Sequence, residues 1–245
     1  MLRCLGILAF VCLLGACKPK TSELATRPDA SQPPATEAAA ARTHPVWGDP
    51  IPPEAFAIEL HGSSATLLNR EPLRSVHGLH KVLLLADADT LVAEASAVLA
   101  MLDSENVETW LAHPNRAVAF KLSLKDEHAF QAWLDQPIPG RIRVIQRADG
   151  LELQTGLGKL AGADPNGPSI PLREGQLDIR LMRQALQSLR TRFPDATDAC
   201  LVPSFGTELT KVASAASGFY EAPRKRLFEN LCLVYPAPGP TSRDH

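Results

Sequence analysis

Side chains that could do chemistry are few in this sequence, and most stand at the wrong spacing for it. Asp87 and Asp89 close an apolar run and could hold a hard cation, yet no third acid sits at coordinating spacing. A solvated turn or a cap for the next helix accounts for them. His77 and His80 fall in a loop with no flanking Glu or Cys ligand, so surface histidines are the default over a zinc site. The glycines of Gly156-Leu157-Gly158-Lys159-Leu160-Ala161-Gly162 are spaced almost as in a dinucleotide loop. The last interval is wrong, however, and Pro165, Pro168 and Pro171 follow where a helix N-terminus would have to receive phosphates. Ser204, in Pro203-Ser204-Phe205-Gly206, is not on a nucleophile elbow, and no histidine near it suggests a base. The sequence assigns no catalytic residue, no metal ligand and no cofactor, and the chain reads as a non-enzyme.

The cysteine with a defined reaction is Cys17. Residues 1–16 carry Arg3, then an apolar stretch from Leu5 to Leu14, then Gly15 and Ala16. This is the layout of a signal peptide, and the stretch is well short of the roughly 20 residues a spanning helix needs. Leu14-Gly15-Ala16-Cys17 matches the lipobox of bacterial lipoproteins, which implies cleavage before Cys17, acylation of its thiol and a membrane anchor through the N-terminal lipid. Lys18, which is not aspartate, resembles an outer-membrane address and implies a protein facing the periplasm. Cys4 and Cys12 leave with the signal, so Cys200 and Cys232 remain, each inside a short apolar run. Outside the cytoplasm they are candidates for a disulfide, with two plain core residues as the alternative.

Recognition rather than reaction is the other chemistry on offer. Arg224, Lys225 and Arg226 form a basic knot just after Phe219 and Tyr220. A solvated loop is the bland reading. Tyr220, Arg224, Lys225 and Arg226 are nevertheless the first candidates for a partner contact, because arginine and tyrosine dominate interface energetics. The formal net charge of −2 and a pI near 6.4 provide no broad basic field, which argues against nucleic acid as a partner.

The elements that must position these residues follow from patterning. Residues 17–53 are rich in Pro, Ala, Thr, Ser and Glu and read as a disordered tether behind the lipid. Residues 54–122 form a first module: a hairpin around His61-Gly62-Ser63-Ser64, a buried strand Lys81–Ala86, a helix capped by Thr90 that fades near Ser104, and strands at Thr109–Ala112 and Ala117–Leu122. Residues 123–139 are a connecting helix, Asp126 to Leu134, and a proline-punctuated linker. Residues 140–236 form a second module, opening on a hairpin around Ala148-Asp149-Gly150. A loop from Gly156 to Pro171, a helix Leu177–Arg192, a buried strand Cys200–Pro203, a helix Thr207–Ala222 and a strand Leu231–Tyr235 complete it. Residues 237–245 are a disordered tail.

The stretches from Val82 to Pro114 and from Ala199 to Pro236 share an order of apolar strand, polar break, threonine-led helix, polar loop, apolar strand and proline, which points to an internal duplication. On RVIQRADGLELQ, LRTRFPDATDACLVPSFGTELTKVASAA and LFENLCLVYP, residues 141 to 236 resemble the periplasmic domain of the ExbD/TolR family of biopolymer-transport proteins, and the stretch beginning KVLLLADADT looks like the same unit. The resemblance implies an α+β or α/β fold: two small two-layer sandwiches in tandem, each a mixed sheet with helices on one face. It also implies a binding module that pairs with itself and contacts an envelope protein or peptidoglycan, here as an intrachain pseudo-dimer or a homodimer. The family's acidic membrane helix is missing, so proton coupling is not implied. The expectation is a lipid-anchored, non-catalytic envelope-binding protein. The alternatives are an unrecognised envelope hydrolase or a purely structural spacer.

Overall fold

The computed structural model describes residues 45–136 and 140–238. The signal peptide, Cys17 and the tether through residue 44 lie outside the described residues, as do linker residues 137–139 and the tail from 239 onward. The chain runs β1 (Phe56–His61), β2 (Ser64–Leu67), β3 (Lys81–Ala86), α1 (Val92–Ser104), β4 (Glu108–Ala112), β5 (Ala119–Lys125) and α2 (Glu127–Asp135). It continues with β6 (Ile142–Arg147), β7 (Gly150–Thr155), β8 (Gly158–Lys159), β9 (Ile170–Arg173), β10 (Gln176–Leu177), α3 (Ile179–Arg192) and β11 (Asp198–Val202). α4 (Leu209–Ala216), a 3-10 turn (Ser217–Phe219), β12 (Tyr220–Ala222), β13 (Lys225–Arg226) and β14 (Asn230–Val234) complete it.

Mixed α/β is the observed class. Twelve strands form one sheet in the order β10-β9-β7-β6-β11-β14-β5-β4-β3-β1-β2, with β8 on β7. The sequence reading divides this region into two sandwiches, but one apolar cluster runs from Ile58 and Leu84 through Phe120 to Leu233, Leu201 and Val144. Side chains alternate across a strand, and the alternation is visible along β5, β11 and β14. Phe120, Leu201 and Leu233 enter the main core under α1, α3 and α4, whereas Ala119, Cys200 and Cys232 point the other way. There α2 lays Trp133 on the two cysteines, and Ile51 and Ala55 cover Leu83, Ala112 and Ala119.

The order within the sheet repeats. β1 pairs antiparallel with β2 and parallel with β3, and β3 is parallel to β4. β6 likewise pairs antiparallel with β7 and parallel with β11, and β11 is parallel to β14. Because β5 is parallel to β14 and antiparallel to β4, the two sets run in opposite directions.

Several local expectations change. Leu91, not Thr90, occupies the α1 N-cap position, and the Glu94 carboxylate accepts from the Leu91 N–H at 3.0 Å. Thr90 turns back to β1. The helix expected from Thr207 to Ala222 stops at Ala216, because Gly218 packs so tightly against Met182 that a Cβ would stand 2.6 Å from its sulfur. The chain then turns Phe219 and Tyr220 into the core. The stretch from Gly156 to Pro171 is not all loop: β8 and the start of β9 lie in it, anchored by buried Ile170. Among the described residues no helix is long and apolar enough to cross a membrane.

On the outer face Glu108 accepts from Trp110 Nε1 at 2.9 Å and from Lys121 at 2.5 Å, with Lys81 at 3.3 Å. The Lys121 bond, joined by Trp110 and Lys81, holds the Glu108 carboxyl down at about 2. A depressed carboxylate stabilises the fold above its unfolded pKa, and that contribution is lost as pH falls from about 4.5 through about 2. Glu108→Gln should therefore show a shallower loss of urea midpoint between pH 6 and pH 3 than the parent protein. Identical acid limbs would remove Glu108 from the account.

Candidate binding cleft

A concavity of about 530 Å³ lies at the C-terminal ends of parallel strands β6 and β11, between the β6–β7 turn and α4. Crevices at such strand ends are common ligand sites in open α/β sheets, and this volume falls within the usual range. Leu151, Leu172, Leu177 and Ile179 supply the apolar part, and Arg147 and Lys211 stand on opposite walls.

The cleft exists because one hairpin tip is pulled away from its helix. At the equivalent place beside α1, Thr90 Oγ1 donates to the Leu60 carbonyl at 3.0 Å and accepts from the Gly62 N–H at 3.1 Å, and Glu94 lies against Gly62. The β1–β2 turn is thereby sealed onto the start of α1. Beside α4, Thr207 instead bonds Ser204 within its own turn at 2.9 Å. The β6–β7 tip is tied to β9, where the Leu172 N–H donates to the Asp149 carbonyl at 3.0 Å. Gly150, at φ 153°, lies so close to β9 that a Cβ would meet the Ile170 carbonyl at 2.2 Å. That conformation and that approach both require glycine.

The two threonine-led turns also touch. Val92 N–H donates to the Thr207 carbonyl at 2.8 Å, and Leu209 N–H donates to the Thr90 carbonyl at 2.9 Å, a reciprocal bridge around Leu91 and Glu208. This exchange fixes the start of α4 as one wall of the cleft. The bond from Ala93 N–H to the Phe205 carbonyl at 3.4 Å holds the adjoining turn, which presents an exposed Phe205.

Charge in the cleft is balanced by neighbours. Arg147 meets Glu152 at 2.8 Å and Asp149 at 3.3 Å, and Lys211 meets Glu208 at 2.7 Å. The Lys211 hydrogen bond lowers the Glu208 carboxyl, and the Glu152 bond raises Arg147. Such exposed pairs contribute little to stability. Of the hydroxyls that line the cleft, Ser204 and Thr207 bond each other and Ser214 donates to the Thr210 carbonyl. The arrangement offers shape, apolar surface and hydrogen bonding.

The residues singled out in the sequence are scattered. Tyr220 is buried, and its hydroxyl donates to Asp49 Oδ2 at 2.8 Å. Arg226 grips the same oxygen through Nε at 2.9 Å and through Nη2. Both are engaged by this acid of the same chain. Burial pushes the Tyr220 hydroxyl up, and the Asp49 bonds hold Arg226 above its ordinary range against desolvation. Lys225 is exposed and paired with Glu221 at 3.0 Å, and Arg224 sits at positive φ in the β12–β13 turn. Gly158 and Lys159 form a hairpin arm, His77 faces Glu105 at 3.5 Å, and no three metal-ligating side chains converge among the described residues.

One pairing escaped the sequence. His61 Nδ1 lies 2.5 Å from Asp87 Oδ2, and the Asp87 hydrogen bond raises the imidazole pKa. The parallel register of Leu60 with Ala86 brings the next residue of each strand together, a signal available only once β1 and β3 are known to pair. Compared with known proteins, the chain matches no family model, no curated protein and no solved structure.

Cys200 and Cys232 stand directly opposite each other on β11 and β14, and their sulfurs are joined across 32 residues of sequence. A closed loop of that length implies about 2–4 kcal/mol of stabilisation. The double substitution Cys200→Ala/Cys232→Ala should lower the unfolding free energy by that order in urea, and the intact parent should gain two hydrogens in mass on reduction. A parent already carrying two free thiols would overturn the assignment.

Proposed function

We propose that the mature protein is a lipid-anchored, non-catalytic binding protein of the cell envelope, held by acyl chains on Cys17 at the outer membrane and facing the periplasm. The Leu14–Cys17 lipobox supports the anchor, and a buried cysteine pair in bonding register fits an oxidising compartment. In this reading the two strand sets descend from one ExbD/TolR-like module. They form within one chain the kind of pair that such modules form between chains, with the reciprocal bridge at Thr90 and Thr207 near their junction.

The observation that carries the binding role is the asymmetry of the two hairpin–helix junctions: one is sealed by Thr90 and the other stands open as the cleft. Two copies free to diverge leave one to stabilise the fold and the other to take a ligand. The ligand is an envelope component, protein or peptidoglycan, and the balanced charge of the cleft walls favours one whose contact surface is largely uncharged.

Labelled palmitate should enter the parent but not Cys17→Ser, which should leave the membrane fraction. The soluble mature Cys17→Ser chain should be retained on purified peptidoglycan sacculi or on one envelope protein, and Ser214→Phe, which fills the cleft, should lose that retention while keeping its urea midpoint. Retention unchanged by Ser214→Phe would place the ligand elsewhere. Palmitate label in Cys17→Ser would sink the anchor.

A further inference from the structure

The strongest unassigned recognition chemistry lies under the chain's own N-terminal arm, away from the cleft. Residues 46–49 are held at four successive points. Val46 packs on the main core. Trp47 takes the buried Arg183 guanidinium against its ring at 3.5 Å from the centroid. Gly48 is buried where a Cβ would meet Val118 at 2.9 Å, and its carbonyl accepts from the Arg224 N–H at 3.2 Å. Asp49 exchanges two backbone bonds with Ala119, at 3.1 and 3.0 Å, and its carboxylate takes Tyr220 and Arg226.

Each contact demands a particular residue: an aromatic ring over a cation, no side chain in the tight position, then an acid. The dock is therefore selective for an extended aromatic–glycine–acid segment. It is also a strand slot. β14 pairs with β5 only at Ser123, Leu124 and Lys125, so the flank of Ala119 that Asp49 uses is left to whatever segment arrives.

The arm is joined to the body by a stiff hinge. Pro50, Pro52 and Pro53 lie between Asp49 and the start of β1, and each proline biases the residue before it toward extended backbone. Such a hinge lets an arm leave its dock without disturbing the sheet, and exchange of identical arms between copies replaces every lost contact with the same contact.

We propose that residues 46–49 are an exchangeable arm, and that their dock is a peptide-recognition site that the arm of a second copy of this chain can fill. Copies anchored on one membrane face meet at high local concentration, where exchange competes with self-docking. The outcome is a pair of chains joined by swapped arms, with both clefts unaltered. The raised local concentration rests on the lipid reading, whereas the arm and its dock are argued from residues 46–49 and their contacts alone.

Three measurements on the mature chain carrying Cys17→Ser test it. In the unmodified arm, the Asp49 and Ala119 amides should exchange with deuterium at least tenfold faster than the Leu122 amide, because the arm opens while the sheet stays closed. A synthetic peptide spanning Pro45 to Pro50 should bind saturably to Trp47→Ala/Asp49→Ala and at least tenfold more weakly when Arg226→Ala is added. Mixing Trp47→Ala/Asp49→Ala, which has a dock but no competent arm, with Arg226→Ala, which has an arm but a damaged dock, should produce a heterodimer in sedimentation that neither forms alone. Equal protection of the three amides, absence of peptide binding, or only monomers in the mixture would each overturn the proposal. The exchange measurement needs no substitution in the arm or its dock and stands even if a chain substituted there fails to fold.

Discussion

Strand β5 is paired along different parts of its length to neighbours that run in opposite directions, and the rest of the sheet depends on that. Ala119–Leu122 pair antiparallel with Thr109–Ala112 of β4, and Ser123–Lys125 pair parallel with Cys232–Val234 of β14. Neither neighbour could end the sheet without leaving an apolar edge open, and such edges recruit other chains. With β5 between them, Phe120, Leu122 and Leu124 enter a core that neither strand set closes alone. The short reach of β14 along β5 also creates the slot that Asp49 fills, so one mismatch in strand length accounts for both the join and the arm.

How much of this could be read from the residues depends on the range of the interaction. KVLLLA and ACLVP are read as buried strands because continuous apolar runs of that length need cover on both faces, and the structure gives them cover. Asp-Gly at 149 and 150 marks its hairpin for a local reason. The end of α4 was not legible, because Ser217, Gly218, Phe219 and Tyr220 prolong a helical pattern until Met182 and Asp49, distant in sequence, decide otherwise. Asp49 itself lay in a segment whose composition reads as tether. A single acid among prolines has no periodicity, and its partners are 171 and 177 residues away. The cleft was invisible for the same reason: it depends on where Gly150 meets Ile170, a contact between a turn and a stretch taken as loop.

The two threonine-led turns show how similar local sequences reach different outcomes. Thr90 and Thr207 each precede a helix, and each gives its carbonyl to the other's helix. Their side chains diverge. Thr90 has a hairpin tip within reach and bonds it on both sides, whereas the tip opposite Thr207 is held by β9, so that hydroxyl turns to Ser204. Among the described residues the place of β9 and β10 beyond β2 is taken by a single bridge between Thr66 and Pro72, with Leu73 N–H bonded to the Ala65 carbonyl. The added strands are thus the cause of the cleft, and its apolar wall at Leu172 and Leu177 comes from those same strands.

The arm sets where any tether must leave the body. Under the proposed anchor, 27 residues separate Cys17 from Pro45 and reach at most roughly 100 Å when fully extended. Their last fixed point, residues 46–49, is bonded to Ala119 from one strand set and to Arg183, Arg224 and Arg226 from the other. A pull along the tether therefore acts on the seam between the sets before it acts on β1. The contacts there are arranged to resist it unequally: the Asp49 carboxylate is bound by three donors, while the backbone pairing is one residue long. A one-residue bridge cannot spread load along a ladder, so the load falls on the separate holds at the Asp49 carboxylate, the Gly48 carbonyl and the Trp47 ring. Behind the arm the proline segment is itself held on the sheet, where Ile51 and Ala55 pack against Leu83, Ala112 and Ala119 and Glu54 pairs with Lys81.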